Sequence, residues 1–359
     1  MQKLRRFLLK RQAVFTTIIA VALAFVVVGF LLAATNRNPF YAVYYFVRGS
    51  FGNFFNTADT ISRVVPLTIA GIAFLIGAQC AVFNVGVEGQ LLLGALASAI
   101  VGYAIELPAY LHLPLMLLAG ALAGGLYGLI PAWLKTKRKV NEILSTIMLN
   151  YPATYFTHFM VNKVLPIEGM VPATPFIKDT AKLPTLVEGT RLHAGVFVLV
   201  LVVVFAYILL YKTSVGYEMR AVGFNQTAAR YHGIPVEKRM NFAFFLSGAL
   251  AGIAGAVEVA GVHYRFLDQF SPGYGYDSIT VALVGLLNPF GVMIAATLFG
   301  ALKTGILEMS VYSEIPRQLT TLINGIVVLF VAAKDIMAPG FIKMFGVDKP
   351  GKIKKEISQ

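Results

Sequence analysis

The chain alternates between long apolar runs and short polar or basic segments. A helix needs about 20 apolar residues to cross the hydrocarbon layer of a membrane. The pattern predicts ten membrane-crossing helices, at residues 14–34, 64–83, 91–105, 115–134, 143–161, 194–211, 241–262, 278–287, 291–308 and 318–333. The run at 278–287 is short, so it is either a tilted helix or a half-helix that ends at a bend. The predicted fold class is an all-α polytopic membrane protein.

Composition agrees with this prediction. Of the 359 residues, 57% are hydrophobic and 13% are charged, and the mean hydropathy is +0.74. Soluble domains carry about 25% charged residues, and a soluble fold of this composition would expose large apolar patches. Soluble enzymes, disordered proteins and collagen-like fibres are therefore excluded. The single cysteine, Cys80, lies in an apolar run and is expected to be a small buried hydrophobe.

The net charge of +13 has two explanations, nucleic-acid binding or an excess of basic residues in cytoplasmic loops. With the N-terminus inside and ten crossings, the inner segments carry +15, the outer segments +1 and the spans −3. Almost all of the net charge thus lies on one side of the membrane. The charge therefore predicts cytoplasmic N- and C-termini rather than a nucleic-acid surface.

Glycines four residues apart predict close helix packing, because small residues let helix backbones approach each other in lipid. Such glycines occur in two of the predicted spans, at Gly120, Gly124, Gly128, Gly248, Gly252 and Gly255. This spacing predicts packing only and has no functional content.

Polar residues inside apolar runs are candidates for a solute pathway, because they are costly in lipid unless they face protein or water. The densest cluster is Asn84, Glu88 and Gln90, with Gly86 and Gly89 between them. Two glycines so close together suggest a broken helix whose backbone and side chains bind a polar solute. The alternative is a cytoplasmic turn with a solvated glutamate.

Other polar residues in or beside the spans are weaker candidates. Asn150 is placed to hydrogen-bond across helices or to a passing solute, and Asn288 stands at the predicted bend. Glu258 either lines a path or pairs with a basic residue such as Arg265. Glu142 lies three residues after the basic segment 135–139, so a structural ion pair is at least as good an explanation as a functional role.

The hydrophilic stretch at residues 211–239 separates two predicted spans. It predicts a short surface helix from Glu218 to Tyr231 that ends at Gly233, with Pro235 preventing its continuation. A structured helix at the cytoplasmic surface is suited to docking another protein. The alternative is a membrane-surface helix without a partner.

Motifs for catalysis are absent from the sequence. It contains no P-loop, HExxH, CxxC or G-x-S-x-G motif, and no two of its five histidines have metal-ligand spacing on one helix. We therefore predict a protein that is not an enzyme, has no metal site and needs no cofactor. An ATP-driven process would need a partner to supply the ATPase.

Four segments resemble the permease subunits of ATP-binding cassette (ABC) importers in the sugar, nucleoside and branched-chain amino-acid group. They are FNVGVEGQLLLGALAS (83–98), KVNEILSTIMLNYPA (139–153), GYEMRAVGFNQTAARYHGI (216–234) and ALVGLLNPFGVMIAATLFG (282–300). The NEILSTIMLNY form, the extra N-terminal helix and the outer segment at 162–193 are similar to the nucleoside and simple-sugar branch.

The resemblance implies a fold like the vitamin B12-type importer, in which residues 64–161 and 241–333 form two inverted halves. It also implies a pathway and a coupling helix that contacts an ATPase. The implied pathway residues are Phe83, Asn84, Glu88, Gln90, Asn150, Glu258 and Asn288. The implied coupling residues are Gly216, Glu218, Arg220, Gly223, Asn225, Arg230 and Gly233.

We thus predict a single permease domain in the cytoplasmic membrane of a bacterium, carrying nucleosides by alternating access. Its segments are residues 1–63, 64–161, 162–193, 194–240, 241–333 and a cytoplasmic tail at 334–359. The implied partners are an ABC ATPase with duplicated domains, a second permease and a substrate-binding lipoprotein. The alternatives are a simple-sugar permease, or an ion-coupled transporter that uses Glu88 or Glu258 as its coupling carboxylate.

Overall fold

The computed structural model describes residues 12–35, 37–165, 171–312 and 317–333. The basic N-terminal segment and the predicted tail at 334–359 lie outside the described residues. The α-helices of the described residues are α1 Gln12–Ala34, α2 Pro39–Phe51, α3 Phe54–Ala78, α4 Val87–Ala104, α5 Ala109–Arg138, α6 Glu142–Phe159, α7 Gly195–Lys212, α8 Ser214–Phe224, α9 Gln226–Tyr231, α10 Val236–Glu258, α11 Tyr274–Val284, α12 Pro289–Tyr312 and α13 Arg317–Ala332. The only β-type pairings in these ranges are two isolated bridges. The all-α prediction is confirmed.

Each of the ten predicted apolar runs falls largely within one of these helices. Among the described residues, six helices are long and apolar enough to cross a membrane: α3, α4, α5, α7, α12, and α10 together with the π-turn Val259–His263. The other four runs correspond to α1, α6, α11 and α13. The multi-pass architecture is confirmed, and the total of ten crossings stays a prediction.

The helix α3 begins at Phe54, ten residues before the predicted start of its span. Residues 54–63 are too polar to predict as membrane helix, but they carry their own local stabilisation. The Asn53 side chain accepts a hydrogen bond from the Asn56 N–H at 2.7 Å, and Arg63 Nε lies 3.2 Å from Asp59 Oδ2 one turn away. A side-chain cap and an i,i+4 ion pair each favour a helix by a few tenths to about 1 kcal/mol.

The described residues divide into two compact units. In the unit Ser50–Thr304, α10 packs against α3, α4 and α5. A Cβ atom on Gly252 would collide with the backbone oxygen of Gly120 on α5, so these two helices touch through their backbones. The packing prediction made from glycine spacing is therefore confirmed at this contact.

The other unit contains the described residues up to Gly49 and from Gly305 onward. In it α13 packs against α1, and a core forms around buried apolar side chains, namely Val28, Leu32, Ala42, Ile306, Met309 and Ile323. The Tyr45 and Tyr312 rings stack with centroids 5.1 Å apart. The predicted division into inverted halves stays a prediction.

Candidate functional site

The predicted helix break lies between α3 and α4, and it is held by a buried amide network. Ala81 has a left-handed backbone with φ of 53°. The buried Asn84 side chain donates to Gln90 Oε1 at 2.7 Å and to Ser247 Oγ of α10 at 2.9 Å. Asn84 Oδ1 accepts from the Gly86 N–H at 3.1 Å. Three segments of the chain thus meet at one buried side chain.

Asn150 of α6 stabilises the same break by hydrogen bonds to its backbone. Its Oδ1 accepts from the Gly89 N–H at 2.9 Å, and its Nδ2 donates to the Val85 carbonyl at 3.1 Å. Because backbone groups in lipid need a partner within the protein, Asn150 replaces the helical bonds that the break removes. Its cross-helix hydrogen bonds are those expected from the sequence.

Glu88 is buried, with 6% of its surface exposed, so the solvated-turn alternative is wrong. Its Oε2 accepts a hydrogen bond from the Gly275 N–H at 2.7 Å. Glu88 lies in the first turn of α4 and Gly275 in the first turn of α11. A carboxylate is favoured at a helix N-terminus, and here it contacts the first turns of two helices.

A second break separates α11 from α12 and confirms the predicted short helix at this position. Leu286 and Leu287 have left-handed backbones, and Asn288 Oδ1 accepts from the Phe290 N–H at 3.1 Å. The Gln79 side chain donates to the Leu287 carbonyl at 2.9 Å. The two broken segments are therefore directly connected, and Asn288 caps α12.

Two predicted pathway residues lie away from this network. The Phe83 side chain is 43% exposed and its ring lies 6.0 Å from that of Phe74. Glu258 is buried at the far end of α10, where its Oε1 is 3.6 Å from His263 Nε2. The suggested partner Arg265 lies instead over the Phe176 ring, so that pairing is not formed.

A charged cavity of about 200 Å³ surrounds Glu258. Its side chains come from α3, the outer segment, the end of α10 with the π-turn that follows it, the stretch before α11 and the first residue of α11. They are Asp59, Ser62, Arg63, Arg191, Glu258, Val262, His263, Phe270, Pro272 and Tyr274. Sequence reasoning selected only Glu258 from this group.

The hydrophilic stretch forms two helices, α8 and α9, instead of the single helix predicted from 218 to 231. The reason is Asn225, whose backbone is extended with φ of −159° and whose side chain accepts from the Ala228 N–H at 3.0 Å. Asn225 thereby ends α8 and caps α9. The predicted end is confirmed, since Gly233 has φ of +79° and Pro235 follows two residues later.

Three charged residues of this segment and its flank, Glu218, Arg220 and Arg239, contact other side chains of the chain. Arg239 Nε lies 2.6 Å from Glu218 Oε2, and the Arg220 guanidinium lies 5.0 Å from the Tyr211 ring centroid. Phe224 and Tyr231 are instead 89% and 88% exposed. We call Phe224 and Tyr231 the α8–α9 aromatic surface. The sequence did not predict this surface, because aromatic residues in an apolar sequence are expected to be buried.

Gly223 lies against the first helix break. A Cβ atom there would collide with the carbonyl oxygen of Gln79, the residue whose side chain contacts Leu287. Gly216 accommodates a similarly close approach to Leu209, while the Arg230 side chain is exposed. The predicted coupling segment thus contacts the first break directly and the second break through Gln79.

The described residues contain no group of three or more His, Cys, Asp or Glu side chains that could hold a metal ion. Glu142 forms an ion pair with Lys135, which agrees with a structural role. Cys80 is buried and unpaired, as expected.

Several helices long and apolar enough to cross a membrane, with buried polar breaks between them, are the features of a multi-pass membrane protein, and discontinuous helices of this kind are typical of transporters. Residues 56–332 match the family described as Branched-chain amino acid transport system / permease component. The chain belongs to this family, and the permease resemblance found in the sequence is confirmed.

Three relatives illustrate the range of the family. The guanosine ABC transporter permease protein NupP of Bacillus subtilis is 39% identical, over 79% of this chain and 83% of that protein. The glucose ABC transporter permease protein TsgB13 of Haloferax volcanii is 35% identical, over 89% and 87%. The nucleoside ABC transporter permease protein NupB of Lactococcus lactis is 28% identical, over 91% and 93%.

Proposed function

We propose that this chain is the permease subunit of an ABC importer and carries nucleosides across the cytoplasmic membrane. The observation that carries the proposal is the 39% identity to a guanosine permease over most of both chains. The nucleoside permease of Lactococcus lactis, which is similar over nearly the full length, supports the same substrate class.

In this proposal the chain crosses the membrane ten times, with both termini in the cytoplasm and with a fold of the vitamin B12-importer type. The distribution of charge supports the orientation, because basic residues concentrate in cytoplasmic loops. The α8–α9 aromatic surface then faces the cytoplasm. Val236, the first residue of α10, follows the cytoplasmic segment and marks the inner end of this helix. Because a helix rises about 1.5 Å per residue, Glu258 at the other end lies roughly 30 Å away. The Glu258 cavity therefore faces outward in this proposal.

The solute path would run past the two helix breaks. Phe83, Asn84, Glu88, Gln90, Asn150, Glu258 and Asn288 remain the proposed pathway residues. The buried amide network around Asn84 supports this assignment, because broken helices expose polar groups at membrane depth. Since the amides also stabilise the break, we propose that they fix its shape and that solute passes beside them during alternating access.

Coupling to the ATPase would occur at α8 and α9, through Gly216, Glu218, Arg220, Gly223, Asn225, Arg230 and Gly233. Exposed aromatic residues are favoured anchors in protein interfaces, so we add Phe224 and Tyr231. Because Gly223 is in close contact with the Gln79 backbone, a movement of α8 would displace Gln79. The hydrogen bond from Gln79 to the Leu287 carbonyl would then displace the second break.

The chain itself would hydrolyse nothing and need no cofactor. ATP would bind to a partner ATPase with duplicated domains, and a second permease would complete the pathway. A substrate-binding lipoprotein on the outer side would deliver the nucleoside.

A simple sugar is the second candidate substrate, because the glucose permease of Haloferax volcanii is 35% identical. A competition assay for uptake distinguishes a nucleoside permease from a simple-sugar permease. Cells that express the complete importer as their only nucleoside uptake system would receive labelled guanosine with excess unlabelled guanosine, adenosine, uridine, ribose or glucose. The proposal expects the nucleosides to compete and the sugars not to compete. Uptake of labelled glucose without uptake of nucleosides would overturn it in favour of the sugar.

A further inference from the structure

The cavity around Glu258 has balanced charge. Asp59 and Glu258 contribute two carboxylates, and Arg63 and Arg191 contribute two guanidinium groups. Asp59 is shared, with Arg63 Nε at 3.2 Å and Arg191 Nη1 at 3.9 Å. For an anion or a cation, attraction by one pair of groups and repulsion by the other largely cancel, so the cavity has no net preference for either sign of charge and suits a neutral polar ligand.

Glu258 supplies a hydrogen-bond acceptor that the protein does not use. The residue is 5% exposed, and its Oε2 has no hydrogen-bond partner among the described residues. Its Oε1 lies 3.6 Å from His263 Nε2, which is too long for a hydrogen bond. A buried carboxylate oxygen without a donor is unfavourable, and a ligand hydroxyl in the cavity would supply that donor.

Arg191 supplies the complementary donors. Its side chain is 66% exposed and its contact with Asp59 is a long one, so its other N–H groups are available to a ligand. Phe270 and Tyr274 form an aromatic wall, as both line the cavity and are buried. The cavity therefore combines a carboxylate acceptor, a guanidinium donor and aromatic rings.

We infer that this cavity is an entry site for the ribose of a nucleoside, in which one hydroxyl of the vicinal diol donates to Glu258 and its neighbour accepts from Arg191. The inference rests on the proposed nucleoside function. The volume of about 200 Å³ is below the roughly 300–1,000 Å³ of pockets that enclose drug-sized ligands. It therefore fits a pentose, with the base extending toward the opening.

The test compares guanosine with 2′,3′-dideoxyguanosine, which lacks the diol. The complete importer is reconstituted in proteoliposomes, and maximal uptake rates are measured with saturating binding protein loaded with either labelled compound. Glu258→Met keeps the length of the side chain and removes the acceptor, so it should lower the guanosine rate about tenfold, as expected for loss of a buried hydrogen bond. It should leave the dideoxyguanosine rate within about twofold. Because both rates come from the same preparation, a folding defect cancels in their ratio.

Asp268→Asn is the matched control, since Asp268 bonds to His158 and does not line the cavity. It should leave the ratio unchanged. A Glu258→Met ratio equal to that of the wild type would overturn the ribose site while leaving nucleoside transport intact. Absence of guanosine, adenosine and uridine uptake by the wild-type importer would instead overturn the proposed function and the ribose site with it.

Discussion

The carboxylate of Glu88 accepts a hydrogen bond from the backbone N–H of Gly275, 187 positions further along the chain, at 2.7 Å. This bond joins the first turn of α4 to the first turn of α11. Both helices begin beside interruptions of the apolar pattern, and both lie in the unit Ser50–Thr304. The contact therefore fixes how the spanning helix α4 and the short helix α11 meet within this unit.

Replacement of Glu88 tests this contact. Glu88→Ala leaves the buried Gly275 N–H without its acceptor, and we expect a loss of about 1–3 kcal/mol in the free energy of unfolding. Unfolding by SDS titration in detergent micelles measures it. Glu188→Ala is the control, because Glu188 is exposed, and it should change the free energy by less than about 0.5 kcal/mol. Equal stability of the two variants would show that the contact does not stabilise the fold.

His193 predicts a pH dependence of stability. It is buried, its Nδ1 accepts from the Gly195 N–H at 3.1 Å, and burial lowers its pKa from 6.5 to about 4. Between these values the unfolded chain binds a proton that the folded chain does not, so stability falls as pH decreases from about 6.5 to 4. The full effect is on the order of 3 kcal/mol.

His193→Asn keeps an acceptor for Gly195 and removes the titration. The difference in unfolding free energy between wild type and variant should therefore change across pH 4–6.5 and be constant above pH 7. His232→Asn serves as control, because His232 is exposed and its removal should leave the pH profile unchanged. A pH-independent difference for His193→Asn would contradict the buried neutral imidazole.

Much of this fold follows from the hydrophobic pattern, since each of the ten predicted apolar runs lies largely within a helix. The cluster of Asn84, Glu88 and Gln90 was also predictable, because these residues are close in sequence and separated by glycines. The hydrogen-bond partners of these residues were not predictable. Ser247 and Gly275 come from distant helices, and Gly275 contributes a backbone N–H that no residue pattern identifies.

The Glu258 cavity and the α8–α9 aromatic surface show the same limit. Asp59, Arg191 and Glu258 lie on three separate segments, so only tertiary packing brings them together. The position of Phe224 follows from the Asn225 cap, which local helix propensity alone does not predict. The sequence thus indicated where polar groups interrupt the helices, while packing decided which of them meet.

The single cysteine allows a direct test of orientation. Cys80 is buried, so the wild type should react little with maleimides at neutral pH. Tyr231→Cys should be labelled by a membrane-impermeant maleimide only after the cytoplasmic face is exposed. Glu188→Cys should be labelled from outside in intact cells. The reverse pattern would contradict the proposed topology.

The α8–α9 aromatic surface predicts ATPase binding. Phe224→Ala and Tyr231→Ala should each weaken the affinity of the permease for its ATPase by about tenfold or more, as for central aromatic anchors. The detergent-solubilised permease is immobilised on a sensor surface, and binding of the ATPase to it is measured as a function of ATPase concentration. Tyr110→Ala is the matched control, because Tyr110 is also exposed, at 75%, but lies at the start of α5 outside this surface. Unchanged affinity in both test variants would remove these residues from the interface.

The most direct measurement is guanosine uptake by the complete importer in proteoliposomes, with ATP supplied to the ATPase and with proton and sodium gradients dissipated by ionophores. We predict uptake that requires ATP hydrolysis, continues without ion gradients and stops when the catalytic glutamate of the ATPase is replaced by glutamine. Uptake that persists with the inactive ATPase and disappears with the ion gradient would contradict an ABC importer and favour ion coupling through Glu88 or Glu258.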